Sequence, residues 1–153
     1  MPGPVRVARV LLAGVAIAHA VAIALLLLLQ GLLISQISTM QPGLTAEDLS
    51  KLVAVELVRT GSFHALLVVV CGIYAVKIGS RSKRVFRIIV ASQVLSVIFG
   101  ITTWFISPDV VRFITVPFIL AALVILLLLV GSRAGREFFK TRYQTDADLV
   151  PPR

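Results

Sequence analysis

The stretch Lys77–Arg87, KIGSRSKRVFR, carries five cations (Lys77, Arg81, Lys83, Arg84 and Arg87), no acidic residue, and an apolar run on either side. Short segments rich in Lys and Arg resist translocation and collect on the cytoplasmic side of a membrane. The stretch therefore reads as a cytoplasmic turn joining two membrane-spanning helices, and it sets the orientation of the chain on both sides of it.

The overall composition agrees. Of the 153 residues 58% are hydrophobic and the mean hydropathy is +1.01, well beyond the roughly 45–50% apolar share of a soluble domain. The net charge of +8 comes from cations clustered at the ends of apolar runs. That placement suits the lipid bilayer, with anionic lipids at the basic turn and the basic tail. It does not suit nucleic acid, whose binders carry basic faces with stacking aromatics or a groove-reading motif. Cys71 is the single cysteine, which excludes an intrachain disulfide and dithiol chemistry within one chain.

Toward the amino terminus, Arg6 and Arg9 precede an apolar run from Val10 to Leu29 that ends at Gln30. About 20 apolar residues cross the hydrocarbon core, and the first span is placed at about 10–33. Ala18-His19-Ala20 imitates a signal-peptidase site, but the run continues far past a normal h-region, so the span is expected to stay uncleaved. From Ser35 to Lys51 the chain turns polar, with Pro42-Gly43 as the turn. Thr45 is the expected N-cap of the next helix, with Asp48 three residues on and Glu47 also in the first turn. A helix from there to Gly79 would be about 50 Å long, too long for the core alone. Residues 46–60, with Leu49, Leu52, Val53, Glu56 and Leu57 on one face, are read as an outer amphipathic extension. The second span is 62–78, with Gly61 as an expected kink.

Beyond the basic turn, 86–105 forms the third span, with Thr102, Thr103 and Trp104 at interfacial depth. Ser107-Pro108-Asp109 turns the chain into the fourth span, 110–130, in which Pro117 is expected to introduce a bend and Arg112 to snorkel. The tail 132–144, SRAGREFFKTRYQ, reads as an interfacial helix with Arg133, Arg136 and Lys140 on one face and Phe139 and Tyr143 elsewhere. Residues 145–153 read as a disordered end. The fold expected is thus all-α and integral to the membrane: one domain, 1–144, of four transmembrane helices in an antiparallel bundle, both termini cytoplasmic. In that topology only Lys51, Arg59 and Arg112 of the fifteen Lys and Arg lie outside, with four of the seven acids, Glu47, Asp48, Glu56 and Asp109.

Small residues let membrane helices approach closely. Gly14, Ala18 and Ala22 in span one and Ser92, Ser96 and Gly100 in span three recur at intervals of four, so these two spans are expected to touch. Span two adds Ala65, Gly72, Ala75 and Gly79. Leu120–Val130 in span four is apolar all round, as a lipid-facing helix would be.

Polar side chains in hydrocarbon are costly and mark candidate sites. His19 and His64 lie within ~5 Å of the same depth by helical rise. They read first as hydrogen-bonded packing residues, with a proton relay or bis-histidine haem ligation as alternatives. Gln93 is expected to donate to a neighbouring helix, Cys71 to pack as a small hydrophobe, and Glu56 and Arg59 to form a local ion pair. No Asp or Glu lies in any core span, which argues against a proton-coupled exporter. No HExxH, phosphate-binding glycine loop or paired-carboxylate constellation is present. Catalytic, cofactor and metal roles are accordingly assigned to no residue, and an enzyme is not expected.

The opening VRVARVLL (Val5–Leu12), the GLTAED start of the second helix (Gly43–Asp48) and the turn SRSKR (Ser80–Arg84) resemble the small uncharacterised four-span membrane proteins of high-GC Gram-positive bacteria. The resemblance implies a plasma-membrane location and brings no activity or site residues. The leading expectation is a small non-enzymatic integral membrane protein acting through helix-helix association, as a homo-oligomer or with another membrane protein. The alternative is a small transporter, channel or lipid-binding protein using the space around His19, His64 and Gln93; a haem electron carrier is third.

Overall fold

The computed structural model describes residues 1–140, with Val110 in backbone only. Tyr143 and the end 145–153 lie outside the described residues, which are helical with no strand. The helices are α1 (Gly3–Leu28), α2 (Gln30–Met40), α3 (Ala46–Lys77, closed by a 3-10 turn at Ile78–Ser80), α4 (Lys83–Ile106), α5 (Asp109–Leu126) and α6 (Arg133–Phe138). A π-helical turn, Leu127–Gly131, ends α5. Four stretches are long and apolar enough to cross a membrane: Gly3–Leu28, Ala46–Ser80, Lys83–Ile106 and Val111–Gly131.

Local sequence explains most of the boundaries. Pro4 stands in the first turn of α1, where a missing N–H costs no intrahelical bond. Thr45 caps α3 as expected: its Oγ1 accepts the Asp48 N–H at 3.2 Å and donates to Asp48 Oδ2 at 2.7 Å. The basic turn is made by Arg81 in the left-handed region, φ 55°. α3 runs unbroken through Gly61. One glycine costs an α-helix only about 1 kcal/mol, and strong helical sequence flanks it. α5 likewise continues through Pro117.

The chain departs from expectation after Leu28. The segment expected to turn polar from Ser35 is largely a helix, α2, joined to α1 across the single residue Leu29; the Leu29 N–H bonds Leu25 O and the Leu33 N–H bonds Leu29 O. Leu33 and Ile37, four apart, bury one stripe of α2 against Leu26, Val53 and Val111. Ser35, Ser38 and Thr39 stay on the exposed face. The outer part of α3 supplies the matching surface: Val53 is buried and Leu49 and Leu57 are half-buried there, whereas Leu52 is exposed.

The expected contact between spans one and three is replaced by two other pairings. α1 packs chiefly on α3, and α4 chiefly on α5. Gly100 of α4 faces Ile119 and Thr115 of α5, whose side chains occupy the space a Cβ would need. Gly100 therefore serves α5, and Gly14 and Ala18 of α1 remain exposed. α1 docks instead through Val5, Ala8, Leu12, Val15, His19 and Ala22, a 3-and-4 spaced stripe. The last span is largely outward-facing as expected, with Leu120, Leu123, Val124, Leu127 and Val130 exposed and Ala122, Ile125 and Leu129 forming its buried stripe.

Val5, Ile78, Val85 and Leu129 share one cluster at the basic end, and Leu26, Val53 and Val111 share another at the opposite end. Neighbouring long helices thus run in alternate directions. α6 is shorter than the tail helix expected. Phe138 and Phe139 turn into the basic-end cluster, while Arg133, Arg136 and Lys140 are exposed.

Candidate functional site

The packing of α1 on α3 brings His19 and His64 face to face. Their Nδ1 atoms are 2.5 Å apart, and the two residues are 1% and 2% exposed. A neutral imidazole carries one N–H and one acceptor nitrogen. One Nδ1 must therefore donate and the other accept, so the pair holds a single shared proton. The Nε2 of the donating ring is then an acceptor, and the Nε2 of the other is a donor. Neither Nε2 has a hydrogen-bond partner among the described residues.

Phe118 of α5 closes the pair. Its ring stacks on His19 with centroids 4.1 Å apart at 12°, and lies 5.2 Å from His64. This geometry does not fit the bis-histidine haem alternative. Two axial imidazoles hold one iron from opposite faces of the macrocycle, whereas here the rings themselves are in contact, with centroids 4.8 Å apart, and a third ring covers one imidazole.

Gln93 does reach across to a neighbouring helix: its Nε2 donates to Cys71 Sγ at 3.6 Å and to Ser92 Oγ at 3.2 Å. It does not join the histidines, because Cys71 lies two turns beyond His64, about 10 Å along α3. The three polar residues singled out in the spans thus form a histidine pair and a separate Gln93–Cys71 contact.

Glu56 and Arg59 form more than a local ion pair. Arg59 Nη2 reaches Glu56 Oε1 and Oε2 at 2.7 and 2.8 Å, Thr60 adds a bond to Glu56 at 3.2 Å, and the same Nη2 donates to Ser107 Oγ. The pair thereby ties α3 to the C-cap of α4. Phe63 of α3 and Phe99 of α4 stack beside it at 3.7 Å and 11°.

On the far side of Phe118 an open groove of about 740 Å³ runs between α1 and α5. Gly14, Ala18 and Val21 form one wall, and Ile114, Pro117 and Ala121 the other. Among the described residues, no heavy atom outside α1 comes within 4 Å of where a Gly14 Cβ would sit. The histidine pair lies one aromatic ring behind this groove. Phe118 itself carried no signal in the sequence beyond being an aromatic residue in an apolar run.

Four helices long and apolar enough to cross a membrane, enclosing one buried histidine pair and leaving one open apolar groove, define a multi-helix membrane protein. No protein-family model, curated protein or solved structure matches the chain.

Proposed function

We propose that the chain is a small, non-enzymatic integral protein of the plasma membrane, with both termini cytoplasmic, that acts through helix-helix association with itself or with another membrane protein. The observation that carries this reading is the Gly14–Ala18 face of α1, left uncovered by the chain's own helices and bordering the groove against α5. Lipid chains are as apolar as leucine, so a membrane helix gains by docking where small residues admit its backbone closely. The charge asymmetry about Lys77–Arg87 supports the orientation, and the resemblance of VRVARVLL, GLTAED and SRSKR to small four-span proteins of high-GC Gram-positive bacteria supports the location. The test is energy transfer between donor- and acceptor-labelled copies in vesicles. Gly14→Leu/Ala18→Leu should abolish the transfer with helix content retained; unchanged transfer in that variant refutes the face.

A second reading, binding of a lipid or small molecule in the inter-helix space, is favoured by Phe118, which is both groove wall and cover of His19. His19→Leu/His64→Leu separates the two: helix association survives it, whereas a ligand signal that depends on the histidines does not.

A further inference from the structure

The basic end of the bundle holds a second cleft, of about 380 Å³, between the start of α4 and the chain that follows α5. Lys83, Arg87, Arg136 and Lys140 line it together with Phe86 and Phe139. No acidic residue is among the lining. Among the described residues Glu137 adjoins the lining; it accepts from Arg133 at 2.7 Å, and the charges of Lys140 and Arg136 also act on it. The floor is firm: Phe139 is buried, and its ring meets Phe86 at 4.9 Å. Arg136 is held in place by donating to the carbonyls of Val130 and Gly131 at 2.6 and 2.9 Å. Both walls stand where apolar helices end, at the start of Lys83–Ile106 and the finish of Val111–Gly131.

We infer that this cleft is a binding site for one anionic phospholipid, the phosphate held by Arg87, Lys140, Arg136 and Lys83 and the acyl chains leaving along Phe86 and the exposed side of α5. A free phosphate shares the headgroup chemistry, but the aromatic floor and the apolar flanks match a ligand that carries hydrocarbon. Guanidinium groups bind phosphate oxygens through paired N–H donors, and basic pockets between helix ends take anionic headgroups at the interface. The inference goes beyond helix association, because the cleft lies at the end of α4, away from the α1/α5 groove.

The test is reconstitution into vesicles of equal phosphatidylglycerol and phosphatidylcholine, followed by gentle release and native mass measurement of the retained lipid. The wild type keeps one phosphatidylglycerol in preference to phosphatidylcholine. Arg87→Gln/Lys140→Gln, two exposed positions, lowers that preference roughly 30-fold, from the loss of two charge-assisted contacts to the phosphate. Arg87→Lys/Lys140→Arg retains it. Arg6→Gln/Arg9→Gln, which removes two cations from the same end that do not line the cleft, leaves it within about threefold, because neither removes a charge-assisted contact to the bound phosphate. Equal losses in the two Gln pairs, no preference for phosphatidylglycerol, or displacement of the lipid by millimolar inorganic phosphate overturns the inference.

Discussion

Replacing both histidines of the buried pair should cost less than the sum of the two single replacements. In His19→Leu, the Nδ1 of His64 loses its partner in a site where the residue is 2% exposed. An orphaned buried polar group costs about 1–3 kcal/mol, while interhelical hydrogen bonds in membranes average about 0.6 and reach about 1.7 kcal/mol. Loss of the His19–Phe118 stack adds about 0.5–1.5 kcal/mol, but that term is present in both variants that lack His19 and cancels from the cycle. Replacing both partners by apolar groups of similar size leaves no orphan and is close to neutral for the hydrogen bond. The expected coupling between the sites is therefore about 1–2 kcal/mol. Reversible unfolding in mixed detergent micelles of the wild type, both single variants and His19→Leu/His64→Leu measures it directly. Additive losses, with the double variant as unstable as the sum of the singles, would refute the argument that the rings hold each other.

Gly100→Ala should destabilise by about 1–3 kcal/mol, since the new Cβ meets Ile119, and Ile119→Ala in the same chain should restore part of the loss; thermal unfolding in detergent reads both. Thr45→Ala removes the α3 cap and should cost about 1 kcal/mol, with increased amide exchange confined to the first turn after residue 45. At the surface, the hydrogen bond from Arg133, and then its charge, hold the Glu137 carboxyl below the ordinary carboxylate range. Any contribution of this lowered group is present above its unfolded-state value and fades as pH falls through the folded one. Arg133→Gln should move the carbon-13 carboxyl titration of Glu137 upward, without measurable change in stability for so exposed a pair.

The long elements were legible because length and charge leave few alternatives: an apolar run such as Val10–Leu29 has one structural use at that length, and the cap at Thr45 rests on contacts within a single turn. α2 was hidden because its inward stripe is only Leu33 and Ile37, too short a repeat to outweigh Ser35, Gln36, Ser38 and Thr39. The pairing of the spans failed for a different reason. Spacing of small residues identifies a face, but not which helix comes to meet it, so Gly100 was matched to α1 when the bulk of Ile119 on α5 fills its space. The burial of Phe138 and Phe139 was not legible because a six-residue helix carries no periodic signal, and only the apolar cluster around Val5 and Ala8 draws them inward. The site was half legible: depth could be counted along each span and placed His19 near His64, but the rotation of each helix about its axis decides whether the rings meet, and Gln93 is set apart by its depth, at Cys71 two turns along α3.

The most direct test of association through the α1/α5 face is the native mass of the intact protein after gentle release from detergent, compared with that of Gly14→Leu/Ala18→Leu. The account predicts a discrete multiple of the 16.5 kDa chain for the wild type and a single chain for the variant. Two single-chain masses, or the same oligomer in both, would contradict self-association at that face.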